Sequence, residues 1–364
     1  MKKLNIKKKV WVIKLGEPSF FSPNFRYFRS HLIAETLSRR GHSITFFTSL
    51  YSYYDNLDYK KVKFKKLKNI KYIFLNGRIN HHNSYLLKLL SEFFSSRDFK
   101  KKIKNLNEKP DIVITCVPSI ILSRVVAIFC KKFNIKYIVD YRDLHPDIFL
   151  RELSFFKKIF AFPLVILFRK YLSFICNNAT GLVGITKFYT NHLKKYVSIN
   201  SLPARTFELS YKPILKCRKS FQSKDKIKKI IFVGKINKVF LNAYFDFFNN
   251  YNYSPLIKFY FVGNGRFLKQ FKNHIKKNKN LFYLGNCSQK KIVSLFSNMD
   301  AMLYLIENRI DYLNSLPNKF FEAIYYKLPI ITYNKGLVKT ILFKYNIGIY
   351  CNNFNSLKNK ISNK

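Results

Sequence analysis

The chain has 364 residues, of which 48% are hydrophobic, and its 67 lysines and arginines against 19 aspartates and glutamates give a net charge of +48. This apolar fraction excludes wholesale disorder, and the length predicts two domains because single hydrophobic cores stop growing at roughly 250–300 residues. We attribute part of the charge to AT-rich codons, since Lys, Phe, Tyr, Ile and Asn are all abundant. Even so, such a surface should attract nucleic acid, acidic lipid or phosphorylated substrates.

The first 200 residues alternate between strand-like and helix-like patterns. Strands are predicted at 10–15, 43–49, 71–76, 111–117, 135–141 and 179–186, and helices at 26–41, 84–94 and 119–133. Such alternation is typical of βαβ units, so we predict a mostly parallel sheet with helices on its faces.

The alternation stops over the polar stretch 200–229 and then restarts. Strands are predicted at 230–234, 257–263, 281–285, 300–305 and 328–333, and helices near 238–249, 266–278, 289–298 and 317–327. We therefore predict an N-terminal domain over 1–205, a linker over 206–229 and a C-terminal domain over 230–364. Both are expected to be doubly wound α/β domains that face each other across a cleft, where ligands bind beyond the carboxyl ends of the strands.

The cysteines and the apolar runs bear on where in the cell the protein resides. The six cysteines include no CxxC pair, and Cys116, Cys130 and Cys176 fall in apolar runs, which predicts buried free thiols in a reducing compartment. The N-terminal apolar run, VWVI, is shorter than the roughly 7–15 residues of a signal peptide, and the longest run, Ile159 to Phe168, is shorter than the roughly 20 of a spanning helix. A cytoplasmic protein is expected.

Two motifs follow predicted strands of the first domain. A Gly-Glu-Pro loop at Gly16 could aim backbone N–H groups at a phosphate, or it could be an ordinary βα turn. In the stretch YRDLHPD (141–147), Arg142 could hold an anion and Asp143 could accept a proton or bind a sugar hydroxyl. The alternative there is a salt-bridged turn, and zinc spacing is lacking.

Two more motifs lie in the second domain. The turn FVGNGRF, with Gly263 and Gly265, would let a base or phosphate approach the backbone. In SLPNKFFEAIYYKLPII (315–331), Lys319 and Glu322 are three residues apart and so share one helix face. Glu322 could bind a ribose diol and Lys319 a diphosphate, or the two could form a plain surface salt bridge.

In order and spacing, these blocks resemble family 4 glycosyltransferases of the GT-B fold, in the subgroup that builds bacterial surface polysaccharides such as O-antigen and capsule. The resemblance spans about residues 9–350. It rests on three blocks: GEPSFFSPNFRYFRSHLIAETLSRRGHSITFFTS, then PDIVITCVPS followed by VDYRDLHPD, and then SLPNKFFEAIYYKLPII. The resemblance implies sugar transfer from a nucleotide diphosphate sugar, expected to be UDP-linked, with retention at the anomeric carbon and with neither cofactor nor metal.

The resemblance also implies roles for individual residues. Glu322 matches the glutamate that binds the nucleotide ribose, and Lys319 and Lys235 match basic residues near the donor phosphates. Arg142 falls where many members have a histidine near the sugar, with Asp143 beside it, and both are candidate catalytic residues together with Lys235 and Lys319. The candidate donor-binding residues are Gly16, Gly234, Gly263, Gly265, Ser315, Asn318 and Glu322.

Four departures from the family pattern stand out. Asn314 replaces a frequent second glutamate, and Lys238 is the nearest candidate for a second basic residue after Lys235. Lys327 stands where the family usually has a glycine before Leu-Pro. The chain stops at Lys364, where members usually continue with a helix that packs on the first domain, so either that helix is short or the protein is truncated.

Residues 153–207 contain no acidic side chain but eight basic ones. Their aromatic and aliphatic start could form an interfacial helix on anionic lipid, or a core helix made basic by codon usage and kinked at Pro163. The apolar face of the interfacial helix would include Phe155, Phe156, Phe160, Phe162, Leu164 and Phe168.

We therefore predict a hexosyltransferase with a lipid-linked glycan acceptor, peripheral on the inner face of a bacterial plasma membrane. One rival is a GT-B sugar-nucleotide epimerase, for which no acid–base pair can be placed. The other is a basic nucleic-acid-binding protein, but no nucleic-acid-binding motif accompanies the charge, so nucleic acid is not an expected partner.

Overall fold

The computed structural model describes residues 6–22, 25–52, 57–59, 66–67, 69–77, 85–151, 153, 155–198, 202–213, 226–248, 254–276 and 278–362. It divides into two compact units, Met1–Glu208 and Leu209–Lys364. The division falls inside the predicted linker, of which residues 214–225 lie outside the described part. Both units are parallel-sheet α/β domains of the Rossmann type, as the alternating pattern predicted.

The first unit is built on a sheet of eight strands among the described residues, with the order β10-β9-β8-β7-β1-β2-β6-β5. Its strands are β1 (Lys9–Ile13), β2 (Ser43–Ser49), β5 (Lys66–Leu67), β6 (Ile70–Leu75), β7 (Ile112–Val117), β8 (Lys136–Tyr141), β9 (Gly181–Gly184) and β10 (Ala204–Thr206), while β3 (Tyr51–Ser52) pairs separately with β4 (Leu57–Asp58). All neighbours in the large sheet are parallel except β5 and β6. The short strand β10 lies in a stretch where the sequence shows no period.

The helices of the first unit are α1 (Arg29–Arg39), α2 (Tyr85–Lys104), α3 (Ile120–Lys132), α4 (Asp147–Arg151), α5 (Phe155–Asn177) and α6 (Lys187–Lys194). Part of the core lies where α1 covers β1, β2 and β6, with Val12, Ala34, Phe46 and Tyr72 at its centre. Cys116, Cys130 and Cys176 are buried free thiols, as predicted.

The second unit has a six-stranded parallel sheet in the described residues, with the order β13-β12-β11-β14-β15-β16. Its strands are β11 (Lys228–Val233), β12 (Ile257–Val262), β13 (Leu281–Tyr283), β14 (Ala301–Tyr304), β15 (Ile330–Thr332) and β16 (Gly348–Tyr350), and its helices are α7 (Lys238–Phe247), α8 (Leu268–Ile275), α9 (Gln289–Phe296), α10 (Ile310–Leu313), α11 (Asn318–Tyr325), α12 (Leu337–Tyr345) and α13 (Phe354–Ser362).

Both faces of this second sheet are covered. On β11, Ile230 and Phe232 enter one hydrophobic cluster while Ile231 and Val233 enter the other. Successive side chains of a strand point to opposite faces, so a strand buried on both faces reads as a continuous apolar run. This is why the stretch IIFV was recognisable in the sequence as a central strand.

Candidate functional site

The candidate donor residues of the second unit gather at one edge of its sheet. From β11 the sheet continues through β12 and β13 on one side, and from β14 it continues through β15 and β16 on the other side. The strand order therefore reverses between the neighbouring strands β11 and β14. Ligands of such sheets bind outside the carboxyl ends of the strands at this reversal. Gly234 and Lys235 follow β11 there, and helix α11 comes after β14.

Two glycines bring the turns after β11 and β12 together. Gly263 has φ +147°, and a Cβ atom on it would overlap the carbonyl oxygen of Gly234. A Cβ atom on Gly265 would likewise overlap the carbonyl oxygen of Ile236. The Gly234 N–H donates to the Val262 carbonyl at 3.0 Å. Glycine is therefore needed here for backbone contact within the protein, independently of any ligand.

Lys319 and Glu322 form an ion pair on α11. The Lys319 Nζ lies 2.5 Å from Oε2 of Glu322, and Gln289 on α9 donates to Oε1 at 2.8 Å. The Glu322 side chain is only 3% exposed and that of Lys319 is 20% exposed. The pair is therefore not the surface salt bridge that was the alternative prediction, because exposed ion pairs of that kind are solvated. It is a buried carboxylate near the carboxyl edge of the sheet.

Ser315 and Asn318 flank the start of the same helix. Asn318 is its first residue, after Pro317 at the N-cap, and the Phe320 N–H donates to the Pro317 carbonyl at 3.0 Å. The Ser315 hydroxyl donates to the Tyr312 carbonyl at 3.4 Å. The positive end of the α11 dipole thus lies beside these two polar side chains, which suits an anion.

Three of the four departures from the family pattern lie at or next to the ends of helices. Asn314 donates from Nδ2 to the Ile310 carbonyl at 2.8 Å and is the C-cap residue of α10. Lys238 is the first residue of α7. Lys327 has φ +54°, the left-handed conformation that follows many helices and that glycine adopts most easily. The usual glycine at that position is therefore explained by backbone geometry.

In the first unit the strand order reverses between β1 and β7, and Gly16 lies just after β1. Gly16 has φ +79°, and its N–H donates to the Ser49 hydroxyl at 2.9 Å. The turn at Gly16 is thus fastened to the end of β2. Its role toward a donor phosphate stays a prediction.

Arg142 is the centre of a buried ionic network. Its Nη1 donates to Glu17 at 2.6 Å, its Nε to Asp140 at 2.8 Å, and its Nη2 to the Ser30 hydroxyl at 2.6 Å. Arg29 binds Asp140 from the other side at 2.9 Å and also donates to the Glu208 carbonyl at 2.9 Å. Every nitrogen of the Arg142 guanidinium therefore donates within the protein, and the network joins the Gly16 loop, α1 and β8.

The network shifts the pKa values of its acids and base. Burial would raise the pKa of Glu17, but the Arg142 guanidinium and His31 lower it to about 2. Burial would also raise the pKa of Asp140, and Arg142 and Arg29 hold it below its usual range. Burial would lower the pKa of Arg142, and its carboxylate partners hold it above the usual range. All these groups are therefore charged at neutral pH.

Sequence reasoning missed Glu17, Arg29 and Asp140 as partners of Arg142. The only available signal was their position: Asp140 is the next-to-last residue of strand β8, and Glu17 follows β1. Asp143, in contrast, is exposed on the turn after β8, and its carbonyl accepts the His145 N–H at 2.7 Å. The structure thus separates Arg142, whose side chain is only 11% exposed, from Asp143, which is exposed.

A cavity of about 230 Å³ opens at this edge of the first sheet. Burial raises the pKa of Glu92 to about 7, although the Leu122 N–H donates to it at 3.0 Å. Burial also lowers the pKa of His145 to about 4. Other polar side chains at this cavity are Lys14, Ser49, Lys88, Ser91, Ser95 and Ser119. Within the described ranges, no group of three His, Cys, Asp or Glu side chains is arranged to hold a metal ion.

The sequence left open whether helix α5 lies on a membrane surface or packs in the core, and the two ends of the helix differ in their burial. Val165, Leu172 and Ile175 are buried in its later part, whereas Phe155, Phe156 and Phe160 near its start are exposed. The prediction that Phe168 lies on the exposed face is wrong, because that side chain turns into the core. In the described residues, α5 is the one helix that is long and apolar enough to cross a membrane, and 28% of its most apolar window is buried. By length and composition, the whole helix reaches the size of a spanning segment, which the ten-residue run within it does not.

Comparisons with known proteins agree with this architecture. Residues 214–363 match the family described as Glycosyl transferases group 1. No curated protein sequence matches the chain.

Among solved structures, sucrose-phosphate synthase from Thermosynechococcus elongatus aligns with a TM-score of 0.69 at 12% identity, covering 98% of this chain and 89% of that one. The catalytic domain of starch synthase IV from Arabidopsis thaliana, bound to ADP and acarbose, aligns at 0.65 and 9% identity, covering 98% and 92%. HepE from Anabaena, in complex with UDP and glucose, aligns at 0.59 and 12% identity, covering 97% and 89%. At these identities the likeness concerns the fold. The chain therefore has the two Rossmann-like domains of the GT-B fold, and its second unit carries a glycosyl transferases group 1 domain.

Proposed function

We propose that this protein is a retaining family 4 hexosyltransferase of surface-polysaccharide synthesis. It would move a sugar from a nucleotide diphosphate sugar, expected to be UDP-linked, to a lipid-linked glycan. The observation that carries the proposal is the group 1 domain match, which covers the Lys319–Glu322 pair beside the strand-order reversal. HepE, which was solved with UDP-glucose, and WaaG, a glycosyltransferase involved in lipopolysaccharide biosynthesis, have similar folds and support it.

The proposed reaction depends on stabilising the departing diphosphate. The bond between the anomeric carbon and the phosphate oxygen breaks, the acceptor hydroxyl oxygen bonds to that carbon, and the hydroxyl proton passes to the leaving phosphate. Lys235, Lys319 and the start of α11 would supply positive charge where negative charge develops. No metal is required in this proposal, and Arg142 serves to position the Gly16 loop.

Glu322 should govern nucleotide affinity. Replacement by glutamine is expected to weaken nucleotide binding by roughly 1–3 kcal/mol, the contribution of a charge-assisted hydrogen bond to a ribose hydroxyl. The measurement is calorimetric titration with a panel of nucleotide diphosphates and their sugars, which also tests the proposed function. Asp246→Asn, on α7 of the same unit, is a matched control that converts an exposed carboxylate to an amide. Unchanged affinity of Glu322→Gln for a nucleotide that the wild type binds would remove Glu322 from the ribose site.

The start of α5 should dock the protein on an anionic membrane surface, which is our proposal for its localisation. Phe160 is 85% exposed and adjoins Lys157 and Lys158, a combination that suits the headgroup region. Each cation contributes about 1 kcal/mol at most near such a surface and is screened by salt, whereas apolar insertion is not screened. Binding to vesicles of phosphatidylglycerol and phosphatidylcholine should therefore weaken with salt but persist.

Co-sedimentation across a salt series tests this expectation. Phe160→Asp should lower the salt-resistant fraction, and Phe343→Asp on α12, where the side chain is 67% exposed, should not. Non-specific oligonucleotide binding, run in parallel, should collapse steeply with salt because it depends on counterion release. Tight oligonucleotide binding without any vesicle binding at low salt would contradict the membrane proposal and favour a nucleic-acid partner.

A further inference from the structure

The first unit has a second group of cavities at the amino edge of its sheet, away from the strand-order reversal. One cavity of about 470 Å³ lies between the final turns of α2 and α3, and we call it the Trp11 cavity. Another of about 480 Å³ adjoins it at the starts of β1, β2 and β6 and shares Trp11, Leu106, Glu108 and Lys109. Because β1 is five residues long, the two edges of the sheet are about 16 Å apart.

The inner wall of the Trp11 cavity is apolar. The Trp11 ring, which is 4% exposed, stacks on Phe129 with centroids 5.5 Å apart and ring planes 8° from parallel. Ile103 of α2 and Val125 of α3 add aliphatic surface. Ile128 and Phe133 also line the cavity and remain 40% and 38% exposed. Filling an apolar hollow of this kind is favourable, because it removes apolar surface from water.

The mouth of the cavity is basic. Lys100, Lys104, Lys109 and Lys132 all line it. The Lys109 Nζ lies 3.8 Å from the Phe133 ring centroid and the Lys132 Nζ lies 5.6 Å from it. The one acidic lining residue, Glu108, already pairs with Lys9 at 3.0 Å. The charge around the hollow is therefore strongly positive and would complement an anionic head group.

We propose that the Trp11 cavity binds a small amphiphilic anion, with an alkyl or aromatic body against Trp11 and Phe129 and a carboxylate, sulfonate or phosphate among the lysines. Its volume falls within the range of about 300–1,000 Å³ that small-molecule sites occupy. The site lies at the opposite edge of the sheet from the Gly16 loop and Arg142, so it goes beyond the proposed sugar transfer and does not depend on it.

Trp11 is the only tryptophan of the chain and serves as a built-in reporter. Decanoate carrying a terminal bromine should quench its fluorescence saturably, because heavy-atom quenching requires contact between the bromine and the indole. Butyrate has the charge without the chain, and decanol has the chain without the charge. Each should compete at least about tenfold more weakly than decanoate, because each lacks either the apolar surface or the ion pairs.

Variants locate the binding. Ile128→Glu should weaken bromodecanoate binding by about tenfold or more, since it places a carboxylate against an apolar chain and an anionic head. Lys109→Gln should weaken binding of decanoate but not of decanol. Phe343→Glu and Lys344→Gln on α12 are matched controls that should change nothing. Circular dichroism melts establish whether each variant is folded. If Ile128→Glu does not fold, Lys109→Gln still tests the proposal.

Three results would overturn the proposal. Equal binding of butyrate and decanoate would mean that the overall charge attracts any anion. Quenching by brominated phosphatidylglycerol vesicles but not by monomeric bromodecanoate would mean that this surface contacts a bilayer. A dimer in sedimentation experiments that dissociates in Ile128→Glu would mean that a second copy of the chain covers the cavity.

Discussion

Lys319→Ala is expected to lower turnover by about 10²–10³-fold, the effect of removing one group that stabilises charge in a transition state. The acceptor KM should change far less, because the lysine acts on the departing diphosphate. Lys235→Ala should lower turnover in the same way. Steady-state kinetics with the nucleotide sugar identified by calorimetry would measure both effects.

The two lysines differ in their structural consequences. Lys235 is exposed, so its loss should cost no more than about 1 kcal/mol of stability, whereas Lys319→Ala leaves the buried Glu322 carboxylate without its cation. Kinetics should therefore be compared with thermal melts, with Lys319→Arg as the charge-conserving control and Lys344→Ala as an exposed lysine of the same unit. If both Lys235→Ala and Lys319→Ala keep wild-type turnover, the lysines do not act on the diphosphate and the Lys319–Glu322 pair is structural.

Arg142→Gln is expected to reduce the free energy of unfolding by about 3–5 kcal/mol, since it leaves the buried carboxylates of Glu17 and Asp140 undercompensated. Chemical denaturation measures this loss. Arg39→Gln removes an exposed pair with Glu35 and should cost no more than about 1 kcal/mol. The result also separates the two sequence-based hypotheses for Arg142. A stable variant with lost turnover would indicate an anion-binding residue, and a destabilised one indicates a positioning residue.

The loss of stability at acid pH provides a second measurement on the Arg142→Gln variant. Glu17 has a folded-state pKa of about 2 against a usual 4.5, so its contribution is fully present above that usual value. It is lost as the pH falls from about 4.5 toward 2. In Arg142→Gln the free energy of unfolding should fall less over this pH range, because the cation that lowers the pKa of Glu17 is gone.

The sequence by itself determined the fold class. The last four residues of strand β11, IIFV, form a continuous apolar run, and the amphipathic helices α1 and α3 follow strands, because both faces of a parallel sheet must be buried. Each predicted strand and helix is present with bounds that differ by a few residues, apart from α2, which continues ten residues beyond its predicted end. The pair of Lys319 and Glu322 was also predictable, since a separation of three residues fixes a shared helix face.

Only the tertiary structure decided what surrounds those residues. Spacing could not distinguish a solvated ion pair from a buried one, because groups that meet Glu322 in the fold, such as Gln289, are distant along the chain, in this case by 33 residues. The sequence left open whether Arg142 binds an anion or belongs to a salt-bridged turn, because its partner Glu17 lies 125 residues away and reaches it only through the sheet that contains β1 and β8. The lysines of the Trp11 cavity likewise come from two helices and a loop. Local patterns record which face of an element is apolar, whereas the charges that meet across a fold are set by how the elements pack.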